Sequence, residues 1–315
     1  MLPIDPIVLF FMLGMAAGLA RSDLRLPGAV YEFLSVILLL AIGLKGGVEL
    51  AQQSLVALLP QMIAVVLMGL ALPLAAYPVL RVIGRLARAD AASIAAHYGS
   101  VSVGTYAVAV AWLVSREVAF EEYLPLLLVL LEMPAIVVGI MLARGVSSDT
   151  DWKSLAHEVF LGKSIVLLVG GLLIGWAAGP VALEPVSGLF FGLFHGVLAL
   201  FLLEMGLVAA GQVTSLRRHG LFLVAFGVMF PRFGALVGAV LGWLLGLSPG
   251  GTMLLATLAA SASYIAVPAA MRMALPEANP ALSLTASLGV TFPFNILVGI
   301  PLYHQLAGLL HRLGG

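Results

Sequence analysis

Gly99-Ser100-Val101-Ser102-Val103-Gly104-Thr105 lies in the middle of an otherwise apolar segment, Ala95 to Val114. Two serines, a threonine and flanking glycines are a poor recipe for an unbroken helix. Glycine costs roughly 1 kcal/mol against alanine in a helix interior, and small hydroxyl side chains offer the backbone alternative partners. Inside a membrane, non-helical backbone survives only where protein buries it or where it lines a watery cavity. The stretch therefore predicts a broken helix, of the kind that secondary transporters place around a substrate at the bilayer midplane.

The surrounding composition agrees. Of 315 residues, 62% are hydrophobic and 10% charged, and mean hydropathy is +1.14. Soluble domains carry about 25% charged residues, so this composition predicts an all-α integral membrane protein embedded in the lipid bilayer. A formal net charge of zero removes the electrostatic case for binding nucleic acid. The absence of cysteine excludes disulfides, thiolate catalysis and cysteine metal sites. No basic residue precedes the first apolar run, which therefore reads as a retained span and not as a cleaved signal peptide.

Cutting the apolar runs at charge and Pro/Gly clusters gives about ten transmembrane helices of about 20 residues, with wide scatter. They fall into a first group of five within 1–143, a cytoplasmic linker at 144–163 and a second group of five within 164–315. With the N-terminus outside, Arg21, Arg25, Arg81, Arg85, Arg88, Arg144 and Arg272 gather on the cytoplasmic side. The opposite loops hold mainly acids, Glu49, Glu117, Glu121, Glu122 and Glu184. That asymmetry follows the positive-inside rule and leaves both termini outside the plasma membrane.

The halves echo each other at an offset of roughly 160 residues, a spacing that points to internal repetition. Ile42-Gly43-Leu44 matches Met205-Gly206-Leu207, Ser100-Val101-Ser102 matches Ser261-Ala262-Ser263, and Met133-Pro134 matches Phe292-Pro293. Five spans per half is odd, so the halves are expected to lie as two inverted five-helix repeats, with helices four and nine broken. Such repeats are the sequence pointer to a transporter site.

Span nine has its own break, Ser261-Ala262-Ser263-Tyr264-Ile265-Ala266-Val267-Pro268. Proline is favoured in the first turn of a helix, so Pro268 opens a second half-helix. Half-helix N-termini carry partial positive charge and free N–H groups, which suits a small anion. Hydroxyls and exposed carbonyls at the same crossing suit sodium. The competing reading makes these serines small packing residues between helices.

Ionisable residues within spans are costly and need a reason. Glu132, beside Pro134, reads either as a cation-coupling carboxylate or as the structural partner of a donor. A buried Glu204–Arg232 pair joining neighbouring helices is the simpler reading of those two residues; an Arg232 that attracts a substrate anion is the sharper one. His97 and His195 have no third ligand at metal spacing and read as structural. Asn295, close after Pro293, is placed to hydrogen-bond at the core. No hydrolase, kinase, phosphate-loop or zinc signature stands out, so an enzyme is not expected.

In Ile42-Gly43-Leu44-Lys45-Gly46-Gly47, Gly99-Ser100-Val101-Ser102, Glu132-Met133-Pro134-Ala135 and the run from Arg272 to Pro280, the chain resembles a divergent member of the sodium-dependent bicarbonate transporter family known from cyanobacteria. The resemblance runs over nearly the whole length. It implies a core bundle moving against a scaffold, a homotrimer, and inward symport of bicarbonate with sodium, without a cofactor. The implied substrate site is the crossing of spans four and nine: Gly99, Ser100, Ser102, Gly104, Thr105, Ser261, Ser263, Tyr264 and Pro268. Ser102, Ser263, Glu132 and Asn295 are the candidates for cation coupling, and no metal other than sodium is expected. The family's second motif is a serine run followed by aspartate and then Ile-Ser-Gly-Pro-Pro. Here the aspartate is Tyr264, and a serine and a glycine are Ala266 and Val267. The linker is short, which removes the expectation that the PII-like regulator of the cyanobacterial members binds.

Three functions remain open on the sequence: sodium-coupled import of bicarbonate, proton-coupled transport of another small anion such as a monocarboxylate, and a passive channel or sensor. Inverted repeats with two broken helices favour a transporter.

Overall fold

The computed structural model describes residues 5–145, 153, 156–157 and 160–314, with the backbone alone for 214–219. Most of the expected linker, 144–163, lies outside the described residues. Every regular element among them is helical: α1 (Pro6–Leu19), α2 (Gly28–Leu50), α3 (Leu55–Pro78), α4 (Arg88–Gly99), α5 (Val103–Val114), α6 (Pro125–Glu132), α7 (Pro134–Arg144), α8 (Lys163–Ser187), α9 (Phe194–Leu244), α10 (Pro249–Ala260), α11 (Ala266–Ala274) and α12 (Pro280–Gly314). Proline begins α1, α6, α7, α10 and α12, where its missing N–H would have no helical partner anyway. Asp5 completes the first of these starts by accepting the Ile7 N–H at 3.0 Å.

Among the described residues, six helical stretches are long and apolar enough to cross a membrane. α8 and α9 do not run as single rods: α8 bends at Gly179 (φ 69°) and α9 at Gly220 (φ 84°), a backbone region that only glycine enters without strain. The protein wears its apolar surface outward. Along α3, Leu59, Ile63, Leu67 and Leu74 are exposed while Leu58, Val65, Met68 and Leu72 are buried. One apolar face meets the core and the other is left for lipid tails.

The helices sort into two groups. In the first, α1 packs along the early part of α9, and α2 packs along α8. These crossings are tight because glycine occupies them. A Cβ at Gly14 would strike the Leu203 carbonyl and one at Gly206 the Phe11 carbonyl; likewise Gly47 meets the Leu172 carbonyl and Gly175 that of Leu44. Small residues let membrane helices approach backbone to backbone, where dispersion replaces a missing hydrophobic drive. The second group holds α3 to α7, the later part of α9, and α10 to α12. Here Gly234 and Gly238 of α9 lie against the Ala259 and Leu255 carbonyls of α10.

Candidate functional site

The two stretches read from the sequence as spans four and nine are both broken. α4 stops at Gly99, the chain runs extended through Ser100 (φ −94°, ψ −173°) and Ser102 (φ −114°, ψ 110°), and α5 starts at Val103. α10 stops at Ala260, Ser261 is extended (φ −84°, ψ 166°), and α11 starts at Ala266. At about 1.5 Å per residue, neither half of either span could cross a hydrocarbon core about 30 Å thick.

The two breaks are bonded directly to one another. The Ser102 N–H donates to Ser261 Oγ at 2.9 Å, and the Ser263 N–H donates to the His97 carbonyl at 2.9 Å. Backbone groups freed by each break are thus partly satisfied by the other, as buried polar groups must be. Ser102 Oγ also accepts from the Thr105 N–H at 3.1 Å and the Thr105 hydroxyl at 2.9 Å, capping α5. On the other side the Val267 N–H reaches Ser263 Oγ at 3.4 Å.

Neighbouring helices hold the crossing in place. The proline at 134 interrupts the ladder between α6 and α7, and the Ile136 N–H bonds the Met133 carbonyl. The Glu132 carbonyl accepts instead from the Ser100 hydroxyl at 3.3 Å. Asn295 in α12 donates from Nδ2 to the Ala260 carbonyl at 3.0 Å and accepts the Tyr303 hydroxyl at 2.7 Å. It therefore ties the end of α10 to α12. Gly99 closes α4 against Pro73 and Ala135, where a Cβ would collide. Pro268 is the third residue of α11, within the first turn.

Tyr264 is buried, its ring edge-on to Phe292 at 5.5 Å. Its Oη has no hydrogen-bond partner and lies where a Cβ on Gly104 would be, at the N-terminus of α5. Glu132 is 3% exposed, and its Oε2 has no partner. A small pocket opens beside this point, between Ser35, Leu39 and Phe201 of the first group and Val103, Gly104 and Ile265 of the second. Of the sequence candidates, the glycines, serines, Thr105 and Tyr264 converge. Glu132 and Asn295 reach the crossing through its supports.

One expectation fails. No Glu204–Arg232 ion pair forms among the described residues. Arg232 is exposed and stacks over Phe294 at 5.0 Å, with Nη1 on Met229 Sδ at 3.3 Å, while Glu204 Oε2 has no partner. An aromatic face on its own helix group offers the guanidinium attraction without bringing it to the carboxylate. Sequence reasoning also missed a buried link: the Tyr98 and Thr291 hydroxyls lie 2.6 Å apart, and Thr291 donates to the Gly227 carbonyl at 2.7 Å. Its signal was the repeat itself, which pairs Thr291 with Glu132.

The crossing brings together two helix C-termini, with their partial negative charge, and two N-termini, with their partial positive charge. Both ion signs can be held there without a full charge on the protein. The profile of the Na+-dependent bicarbonate transporter superfamily matches residues 6–308. The chain belongs to that superfamily. No curated protein matches it. The superfamily is one of transporters and not of enzymes, and its member here is a multi-pass membrane protein. At the crossing this chain sets the phenol of Tyr264, its hydroxyl buried and unpartnered.

Proposed function

We propose that the protein imports bicarbonate together with sodium by alternating access, the second helix group carrying the substrate past the first. In this reading ten crossings form two inverted repeats. The support is that positions matched in sequence make matched contacts. Gly14 lies against the segment around Gly206 as Gly171 lies against that around Gly43, and the serine pairs of the two breaks meet each other. The chain would assemble as the homotrimer that the family resemblance implies, with both termini outside the plasma membrane by the distribution of basic residues.

The observation that carries the reading is the Tyr264 hydroxyl, a buried donor without a partner, set against Gly104 at the start of α5. A buried polar group left unpaired costs about 1–3 kcal/mol, and an anion in the adjoining pocket would pair it. Labelled bicarbonate should accumulate in proteoliposomes under a sodium gradient. Uptake that never exceeds equilibration would leave only the channel. Tyr264→Phe keeps the ring packing and removes one hydrogen bond to a charged ligand, so half-saturation should rise about tenfold. An unchanged value would remove Tyr264 from the site.

Sodium would sit on the side of the crossing that offers the α4 and α10 carbonyls, with Ser102, Ser263 and Glu132 as its oxygen sources. Glu132 has no cationic side chain paired with it among the described residues, and an ionised carboxylate buried alone is costly. That same isolation supports a second reading, in which Glu132 carries a proton. Glu132→Gln separates the two. Loss of sodium-stimulated uptake supports sodium at Glu132, whereas parent uptake driven by a proton gradient and indifferent to sodium supports the proton carrier. Sodium dependence that survives the substitution assigns coupling to hydroxyl and carbonyl dipoles alone.

A further inference from the structure

A second cavity, sharing no wall residue with the central pocket, lies between α4, α11 and the turn that joins α11 to α12. Ser93 and His97 line it from α4, Pro268 and Arg272 from α11, and Ala278 and Ser283 from beyond. His97 is 1% exposed. Its Nδ1 lies 2.7 Å from the Ser93 carbonyl oxygen. A carbonyl only accepts, so Nδ1 carries the proton, and in the neutral ring Nε2 is then a bare acceptor. That Nε2 is buried and has no partner in the protein. Arg272 on the neighbouring wall is the complement: a permanent positive charge with donors only.

A buried acceptor in need of a hydroxyl and an exposed guanidinium able to bind anionic oxygens together describe one class of ligand, a small planar oxyanion that bears a single O–H. Hydrogencarbonate has that form. Nitrate has the same charge and planar shape but no O–H. We propose that this cavity is a second anion site, an inner release site selective for hydrogencarbonate, in which Arg272 holds the charged oxygens and His97 Nε2 accepts the O–H. The site rests on the reading of the protein as a bicarbonate importer, which makes its side of the membrane the exit. It adjoins the crossing through His97 itself, whose carbonyl takes the Ser263 N–H. An anion leaving the crossing passes a filter that tests for the proton.

The chain has no cysteine, so Ala278→Cys places a single thiol on the cavity wall of the full-length protein. Its alkylation by a maleimide, in detergent, reports occupancy without any transport step. Sodium bicarbonate should slow the reaction, and sodium nitrate should need about tenfold more for the same protection, the worth of one hydrogen bond to a charged ligand. Added His97→Leu should raise the half-protecting bicarbonate concentration about tenfold and abolish the preference over nitrate. Added His97→Gln, which keeps an acceptor at the same place, should preserve the preference, and added Arg272→Gln should remove protection by both anions. Equal protection by nitrate and bicarbonate, no protection at all, or protection that ignores His97→Leu or Arg272→Gln would overturn the proposal. Uptake by the same preparation in proteoliposomes keeps the two readings apart. Bicarbonate uptake without protection sinks the inner site alone, and protection without uptake sinks the transport function while the site stands.

Discussion

The two broken spans solve one problem in different ways. The first break, Ser100 to Ser102, is short and closes on itself: Ser102 caps α5 with two bonds from Thr105. The second, Ser261 to Ile265, is longer, and α11 begins at Ala266 with Ile265 at the N-cap position and no side-chain cap. Its nearest substitute is a 3.4 Å contact from the Val267 N–H to Ser263 Oγ, and Pro268 has no N–H to offer. One half-helix end is therefore pre-satisfied and rigid, and the other holds its amides in reserve. In the proposed anion site, the capped end would fix geometry and the uncapped end would supply the variable contact. The Tyr264 hydroxyl, which belongs to the second break, adds to that reserve.

The largest expected effect comes from cutting the bond that joins the breaks. Ser261→Ala removes the acceptor of the Ser102 N–H, leaving a buried amide unpaired at about 1–3 kcal/mol. Thermal unfolding of the detergent-solubilised protein should move down by several degrees, and uptake should fall with it. Ser261→Thr keeps the hydroxyl and should restore most of both. A Ser261→Ala protein as stable as its parent would mean that the breaks stand independently, and the contrast between them would lose its basis.

Much of this was legible in the residues. The hydroxyl–glycine stretch at 99–105 and the proline at 268 marked both breaks, because a chain in lipid cannot hide unpaired backbone and small polar residues signal where it is re-paired. The glycines at 43 and 206 showed in the repeat, although their service as backbone crossings did not. What stayed hidden depends on side-chain direction. Glu204 and Arg232 looked like partners because each was an isolated charge in a span, yet Arg232 settles on Phe294. His97 read as structural because a lone imidazole has no spacing pattern. The role proposed for it turns on which nitrogen meets the Ser93 carbonyl, and no linear sequence contains that. Asn295 was seen as a core hydrogen-bonder, but its tie to the end of α10 is a three-dimensional fact.

The finest test of the contrast sets Ser102→Ala beside Ser263→Ala. Ser102 is a true N-cap, and losing such a cap costs about 1 kcal/mol. Ser263 Oγ receives only the 3.4 Å approach of the Val267 N–H, beyond the usual range of a strong N–H···O bond, so its removal should cost at most a few tenths of a kcal/mol. Stability should therefore fall for Ser102→Ala and hardly move for Ser263→Ala. Transport should rank them the other way. If the anion draws on the amides at the start of α11, losing the Ser263 hydroxyl changes the apparent affinity more than it changes the melting point. Ser102→Ala, in turn, changes bicarbonate affinity only indirectly, through the loosened start of α5 and the sodium it helps to hold. Measuring half-saturation for bicarbonate and the unfolding midpoint on the same two proteins gives both rankings. Equal losses of stability would show that the second end is capped as well as the first. A larger affinity change in Ser102→Ala than in Ser263→Ala would move the ligand to the first break and reverse the roles assigned to the two ends.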